Sequence, residues 1–160
     1  MEVALFEPRI PQNTGNIARS CAAFNIPLNL IEPLGFKLED KYLKRAGLDY
    51  WPLVTVNKYE NFDKFLASKS TKRIISFSKK NGIYLKDFKF QENDILLFGR
   101  EDSGLPDRII NKSDFLTSIF MPNLQTREND QKGVRSLNLS VACGIAIYEA
   151  HKQINFQNGN

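Results

Sequence analysis

Leu96-Leu97-Phe98-Gly99-Arg100-Glu101-Asp102-Ser103-Gly104-Leu105-Pro106 is the stretch whose reading decides the fold. An apolar run of strand length, Ile95–Phe98, breaks abruptly into two glycines bracketing four polar residues, and a proline closes it. Junctions of a strand with a tight loop are where α/β proteins commonly place ligands, because backbone donors are exposed there on a rigid scaffold. The spacing is neither Gly-x-Gly-x-x-Gly nor Gly-x-x-x-x-Gly-Lys-Ser/Thr, so neither standard nucleotide motif applies. On its own the stretch reads equally as a ligand loop or as a plain connection.

Working outward, apolar runs at Val3–Phe6, Leu28–Ile31, Leu53–Val56, Arg73–Phe77 and Phe115–Met121 read as further strands. Tyr84, after the Asn81-Gly82 turn, is a candidate for one more short strand. Helical segments fall between them: Gly15–Phe24 behind an Asn13 or Thr14 cap, Glu39–Ala46, Asn61–Ala67, Pro106–Asn111 and Ser136–Gln153. Strands separated by helices imply an α/β fold, a mostly parallel sheet with helices on both faces. The loop after the first strand is proline-rich rather than glycine-rich, which disfavours an ordinary Rossmann dinucleotide site.

The 160 residues suit one domain, taken as 1–153, with 154–160 as a disordered polar tail. A chain of this size buries about 68–70% of its unfolded surface and needs no staple. Cys21 and Cys143 lie in apolar helical contexts and read as reduced core thiols of a cytoplasmic protein. One histidine, His151, argues against His-based triads and ordinary zinc sites. No apolar run is long enough for a membrane span, and Glu2, Glu7 and Arg9 interrupt any signal peptide. The net charge of +4 permits an anionic partner without demonstrating one. Lys37, Lys41, Lys44 and Arg45, interleaved with Phe36, Tyr42, Tyr50 and Trp51, suit RNA, since cations meet phosphates and rings stack on bases. A solvated helix with core aromatics explains the same residues equally well. Arg19, near a helix start where the dipole disfavours a cation, reads either as a surface charge or as a functional group.

Three segments, Pro11-Gln12-Asn13-Thr14-Gly15-Asn16-Ile17-Ala18-Arg19, Phe98–Pro106 and Arg135-Ser136-Leu137-Asn138-Leu139-Ser140-Val141-Ala142, resemble in this order the three motifs of the SPOUT-class RNA 2′-O-ribose methyltransferases. Lys44-Arg45-Ala46-Gly47-Leu48-Asp49-Tyr50-Trp51 and Tyr148-Glu149-Ala150 are similar, more narrowly, to the small tRNA (cytidine/uridine-2′-O)-methyltransferase branch that acts on wobble nucleotide 34. The resemblance covers Val3 to about His151. It implies a C-terminal trefoil knot, which general topology rules would not suggest. It also implies S-adenosyl-L-methionine bound among the knotted loops, a homodimer with the active site at the subunit junction, tRNA as substrate and no metal.

By position, the resemblance makes Arg19, Asn16 and Glu101 the catalytic group, with Asn16 and Glu101 holding Arg19 and the RNA backbone. It assigns Phe77, Gly99, Met121, Ser136, Leu137 and Ser140 to the cofactor. Arg19, Lys44, Arg45, Arg135, Asn138 and Tyr148 are assigned to RNA. Phe77 and Met121 read equally as core, and Tyr148 as a residue packed at a dimer interface. The segment Asn123–Val134 is longer and more charged than the compact loop usual before the third motif, and Arg127 and Lys132 in it are candidate RNA contacts. Two further functions stay open: a SPOUT enzyme acting on ribosomal RNA, and a non-catalytic knotted RNA-binding module.

Overall fold

The computed structural model describes residues 1–38, 50–122 and 133–156. Its elements in order are β1 (Glu2–Phe6), α1 (Pro11–Ala23), β2 (Leu28–Ile31), a single 3₁₀ turn at Trp51–Leu53, β3 (Val56–Tyr59), α2 (Phe62–Ser68), β4 (Ile74–Ser78), β5 (Ile83–Tyr84), β6 (Ile95–Phe98), α3 (Asp107–Ile110), β7 (Phe115–Ser118) and α4 (Leu139–Phe156). The strands form one seven-stranded sheet in the order β3-β2-β1-β6-β4-β7-β5. Every pairing in it is parallel.

The central strands are continuous apolar runs because both faces of the sheet are covered. Every residue of β1, β2 and β6 is buried. Side chains alternate between faces. Val3, Leu5, Leu96 and Phe98 join Ile17, Cys21, Cys143 and Ile147 of α1 and α4 in one core, whereas Ala4, Phe6, Ile95 and Leu97 join Phe62, Phe65 and Ile109 of α2 and α3 in the other. Both cysteines are free and buried. Burial pushes the Cys21 thiol up to about 12, so it stays protonated and packs as a small apolar group.

Four boundaries differ from the sequence reading, each for a local reason. Helix α1 begins at Pro11 rather than Gly15, because proline is well suited to a first helical position, where no N–H is needed. Strand β3 lies at Val56–Tyr59, not Leu53–Val56: Pro52 sits in the 3₁₀ turn, and pairing with β2 starts at Leu28 opposite Val56. Strand β7 stops at Ser118, where its ladder with β4 ends at Ser78, so Ile119–Met121 leave the sheet. Helix α4 starts at Leu139 behind Asn138 and runs on to Phe156, through residues assigned above to the tail. The expected helix Glu39–Ala46, with Lys44 and Arg45, lies outside the described residues, as do 123–132.

At the end of the sheet where β1 begins, Glu2 is 5% exposed. Lys69 Nζ donates to it at 2.7 Å and Asn29 Nδ2 at 2.8 Å, and Lys72 donates to its other oxygen. Burial works to raise the Glu2 carboxyl, but the bonds from Lys69, Lys72 and Asn29 outweigh it and hold the group at about 2. A depressed folded-state value means stability that is fully present above the ordinary range near 4.5 and is lost as pH falls toward 2. Thermal unfolding followed from pH 5 to pH 2.5 should therefore show a steep loss of midpoint. In Glu2→Gln that slope should flatten, and an unchanged slope would show that other carboxylates carry it.

Candidate functional site

Past Phe98 the chain turns back on itself. Arg100 N donates to Gly104 O at 3.1 Å and Gly104 N to Arg100 O at 2.8 Å. Gly104 has φ 72°, a left-handed conformation that glycine adopts without strain. A Cβ on Gly99 would stand 2.2 Å from the Gly104 carbonyl carbon and 2.3 Å from Leu105 N. Gly99 is thus required by the loop's own closure, not only by close approach of a ligand. Across the turn Asp102 accepts Arg100 Nε at 3.0 Å, Arg100 Nη2 at 2.7 Å and Ser103 Oγ at 3.0 Å. The Arg100 guanidinium holds the Asp102 carboxyl well below the usual carboxylate range. Arg100 also stands 3.7 Å from Glu7, which accepts Arg9 Nη2 at 3.0 Å.

Within its own chain Glu101 meets the start of α1 rather than Arg19. Its carboxylate accepts Arg9 N at 2.8 Å, Ile10 N at 3.2 Å and Asn13 Nδ2 at 3.2 Å, binding the loop to the start of α1. Arg19 lies six residues beyond Asn13, about 9 Å along the helix axis, and its guanidinium rests over the Tyr50 ring at 4.6 Å. Asn16 and Arg19 are both exposed. Asn13, read in the sequence only as a helix cap, extends the Glu101 contact instead: its Oδ1 accepts Asn138 Nδ2 at 3.0 Å. Asn138 in turn accepts Ser140 N at 2.8 Å and Ser140 Oγ at 2.7 Å, capping α4. One hydrogen-bonded chain therefore joins all three motif segments.

Beside this chain lies a cavity of ≈ 420 Å³, within the range of about 300–1,000 Å³ usual for small-molecule sites. Phe77, Gly99, Met121, Ser136 and Leu137 line it, as expected for cofactor residues, and so do Asn13, Lys79, Ile119 and Asn138. Ser140 does not, being turned to Asn138. Arg19, Asn16, Arg135 and Tyr148 are absent from its walls, and Arg135 and Tyr148 are exposed. The Phe77 ring is stacked on Phe98, centroids 4.5 Å apart at 14°, so it belongs to core and cavity wall at once. The apolar wall of Phe77, Ile119, Met121 and Leu137 suits a flat heteroaromatic ring. Ser136, Asn138 and the amides of the tight loop suit polar groups attached to it. Ile119 and Met121 were both within an expected strand; their alternation around Phe120 is the signal that could have marked this wall. Among the described residues no group of three or more His, Cys, Asp or Glu side chains is placed to hold a metal ion, and no helix is long and apolar enough to cross a membrane.

Two substitutions probe this construction. Gly99→Ala should destabilise the protein by about 1–3 kcal/mol in urea unfolding, because the added methyl overlaps backbone rather than a movable side chain. Glu101→Ala should leave the Arg9 and Ile10 amides unpaired, cost about 1–3 kcal/mol and speed hydrogen exchange at those two positions first. Normal protection there would refute the anchoring role.

The SpoU rRNA Methylase family model matches residues 1–148. A tRNA (cytidine(34)-2′-O)-methyltransferase of Saccharophagus degradans is 41% identical over 154 residues, 96% of each chain. The tRNA (cytidine(34)-2′-O)-methyltransferase of Escherichia coli K12 is 35% identical over 156 residues, 98% of this chain and 95% of that one. A solved structure described as giving insight into 2-OH methylation of C/U34 on tRNA superposes with TM-score 0.87 at 42% identity, covering 99% of this chain and 97% of that one. The Streptomyces viridochromogenes methyltransferase AviRb, solved with the cofactor AdoMet, shares the fold with TM-score 0.80 at 21% identity, over 96% of this chain and 57% of that one. A match over nearly the whole chain, on the three segments that build the cavity, places this protein in the SpoU methylase family.

Proposed function

We propose that this protein is an S-adenosyl-L-methionine-dependent enzyme that methylates the ribose 2′-hydroxyl of wobble nucleotide 34, cytidine or uridine, in tRNA. The observation that carries the reading is the full-length likeness to tRNA (cytidine(34)-2′-O)-methyltransferases, with the cavity formed where the motif segments meet. The family description mentions rRNA, but the relatives of matching length favour tRNA. With such a substrate we place the protein in the cytoplasm.

When bound, S-adenosyl-L-methionine would supply a sulfonium methyl group: the O–CH3 bond to the ribose forms as the S–CH3 bond breaks, the neutral thioether S-adenosylhomocysteine leaves, and the hydroxyl proton passes to water. Phe77, Gly99, Met121, Ser136 and Leu137 would hold the adenosine part, with Ser140 acting through Asn138. Arg19 would stabilise the developing alkoxide and position the adjoining phosphate, helped by Asn16. A guanidinium keeps its protons in proteins and is a poor base, so an electrostatic role is preferred. Glu101 acts by positioning, through Asn13 and the start of α1. Lys44, Arg45, Arg135, Asn138 and Tyr148 are the proposed RNA contacts.

We read the working form as a homodimer. Arg19 and Asn16 do not reach the cavity of their own chain, and α4 exposes Val141, Ile145 and Tyr148 on one stripe. A second copy seated on that stripe would cover Val141 and Ile145, leave Tyr148 at its rim, and bring an Arg19 to the facing cavity. We also infer a trefoil knot in the C-terminal half, the threading that the resemblance to SPOUT-class methyltransferases implies.

Incubation with labelled S-adenosylmethionine and bulk tRNA, followed by nucleoside analysis, should place label on the 2′-oxygen of nucleotide 34. Label on base atoms alone, or on no RNA, would overturn the assignment. Arg19→Lys should lower kcat more than tenfold with cofactor affinity unchanged; near-normal turnover would remove any specific guanidinium role. Sedimentation should give a dimer, and a folded, active monomer at micromolar concentration would refute the shared site.

A further inference from the structure

The outer side of the cavity wall carries an aromatic surface that the reaction itself does not use. Between the cavity-lining Ile119 and Met121, Phe120 turns outward and is 63% exposed. It meets Tyr84, itself 46% exposed, edge to face, with centroids 5.6 Å apart at 87°. Two large rings held in solvent beside a small-molecule site are not accounted for by the core.

The backbone beneath Tyr84 is tied down by hydrogen bonds. Tyr84 lies opposite Ser118 on the sheet, and Leu85 N donates to Ser118 O at 2.8 Å. Asp87 N and Phe88 N both donate to Tyr84 O, at 2.8 and 3.2 Å, and Leu85 and Phe88 are buried below. The preceding turn is pressed onto β7 so closely that a Cβ on Gly82 would stand 2.4 Å from Leu116 O. Aromatic rings fixed in this way lose little freedom on binding.

The surrounding charge is positive. Lys79 and Lys80, both exposed, begin the same turn, and neither side chain has an acidic partner among the described residues. Lys86 is also exposed and faces Asp87 only at 4.0 Å. Lys79 lines the cavity as well, so the basic edge is continuous with the proposed cofactor site. Exposed rings next to unpaired ammonium groups match an unpaired nucleotide, with its π face and its phosphate.

We propose that Tyr84 and Phe120 form a stacking platform for an unpaired anticodon-loop base flanking the methylated nucleotide, with Lys79 and Lys80 holding the phosphates beside it. This rests on the tRNA reading above. The platform would choose single-stranded over paired RNA and tolerate any base, because every base has a π face to stack.

The test uses the full-length protein with tRNA and with an anticodon stem–loop carrying 2-aminopurine next to nucleotide 34. In Tyr84→Ala and Phe120→Ala, KM for tRNA should rise about tenfold for each lost stack. Saturating kcat and the calorimetric affinity for S-adenosylmethionine should stay as in the wild type. Tyr84→Phe and Phe120→Tyr should restore KM. The wild type should quench 2-aminopurine on binding, and the alanine variants should not. Lys80→Gln should reduce the salt dependence of binding while leaving the quenching in place. An unchanged KM in the double alanine variant of a protein whose wild type methylates tRNA would overturn the platform alone. Equal losses of kcat and cofactor affinity would also overturn it, revealing mere support of the cavity wall. Conversion of a dimer to monomer would overturn it too, making the patch a contact between copies. A wild type that neither binds nor methylates tRNA would instead overturn the functional reading on which the platform rests.

Discussion

The site depends on one carboxylate. Glu101 lies in the turn after β6, and it satisfies the amides of Arg9 and Ile10 together with the Asn13 side chain. Helix α1 begins without a side-chain cap of its own, since its N-cap residue is Ile10 and its first helical residue is Pro11. The Glu101 contact supplies from far along the chain what this helix start lacks locally. Charge-assisted bonds from backbone N–H groups are stronger than neutral ones, and a negative charge at a helix N-terminus is favourable. The angle at which α1 leaves the sheet, and with it the placement of Asn16 and Arg19, is thus set by the loop that also frames the cavity.

Around that contact the molecule separates stiffness from exposure. The strand ends, the doubly bonded Arg100–Gly104 turn and the Asn138 cap are held by short, local bonds. Of the groups proposed for RNA, Asn138 belongs to that framework, whereas Arg19 over Tyr50, Arg135 and Tyr148 on α4 stand outside it in solvent. A small cofactor needs a preformed cavity, whereas a large polyanion needs reachable side chains at its edge. The two demands are met by different layers of the same loops.

The central sheet was legible because burial on both faces makes β1, β2 and β6 read as unbroken apolar runs. Ile95–Phe98 in particular was located to the residue. The start of α1 lies four residues before the one the sequence suggests, because Asn13 and Thr14 have the composition of a cap while Pro11 serves as the first helical residue. Strand β3 was misplaced because Leu53–Val56 has strand composition, while its position depends on which residue faces Leu28. At the site, the family resemblance pointed to Phe77, Gly99, Met121, Ser136 and Leu137, all of which line the cavity, but not to their mutual contacts. Nothing in a linear string states that Glu101 meets amides 91 and 92 residues away rather than the arginine beside which chemistry would place it. Asn13 was missed as a junction for the same reason, and Gly99 was given a ligand-based explanation where backbone overlap is the stronger constraint.

The bond between Asn13 and Asn138 spans 125 positions of the chain, and the one between Asn13 and Glu101 spans 88. Such contacts close very long loops, which is slow and entropically costly. The cavity they frame consequently has no local precursor: it exists only when both ends of the polypeptide have met. A small molecule bound there is a ligand of the completed fold alone. At a free concentration of 100 times its dissociation constant it would add about 2.7 kcal/mol to global stability. For a protein built this way, occupancy of the site and integrity of the whole chain are thermodynamically linked, and a ligand of the cavity raises the fraction of molecules that is folded.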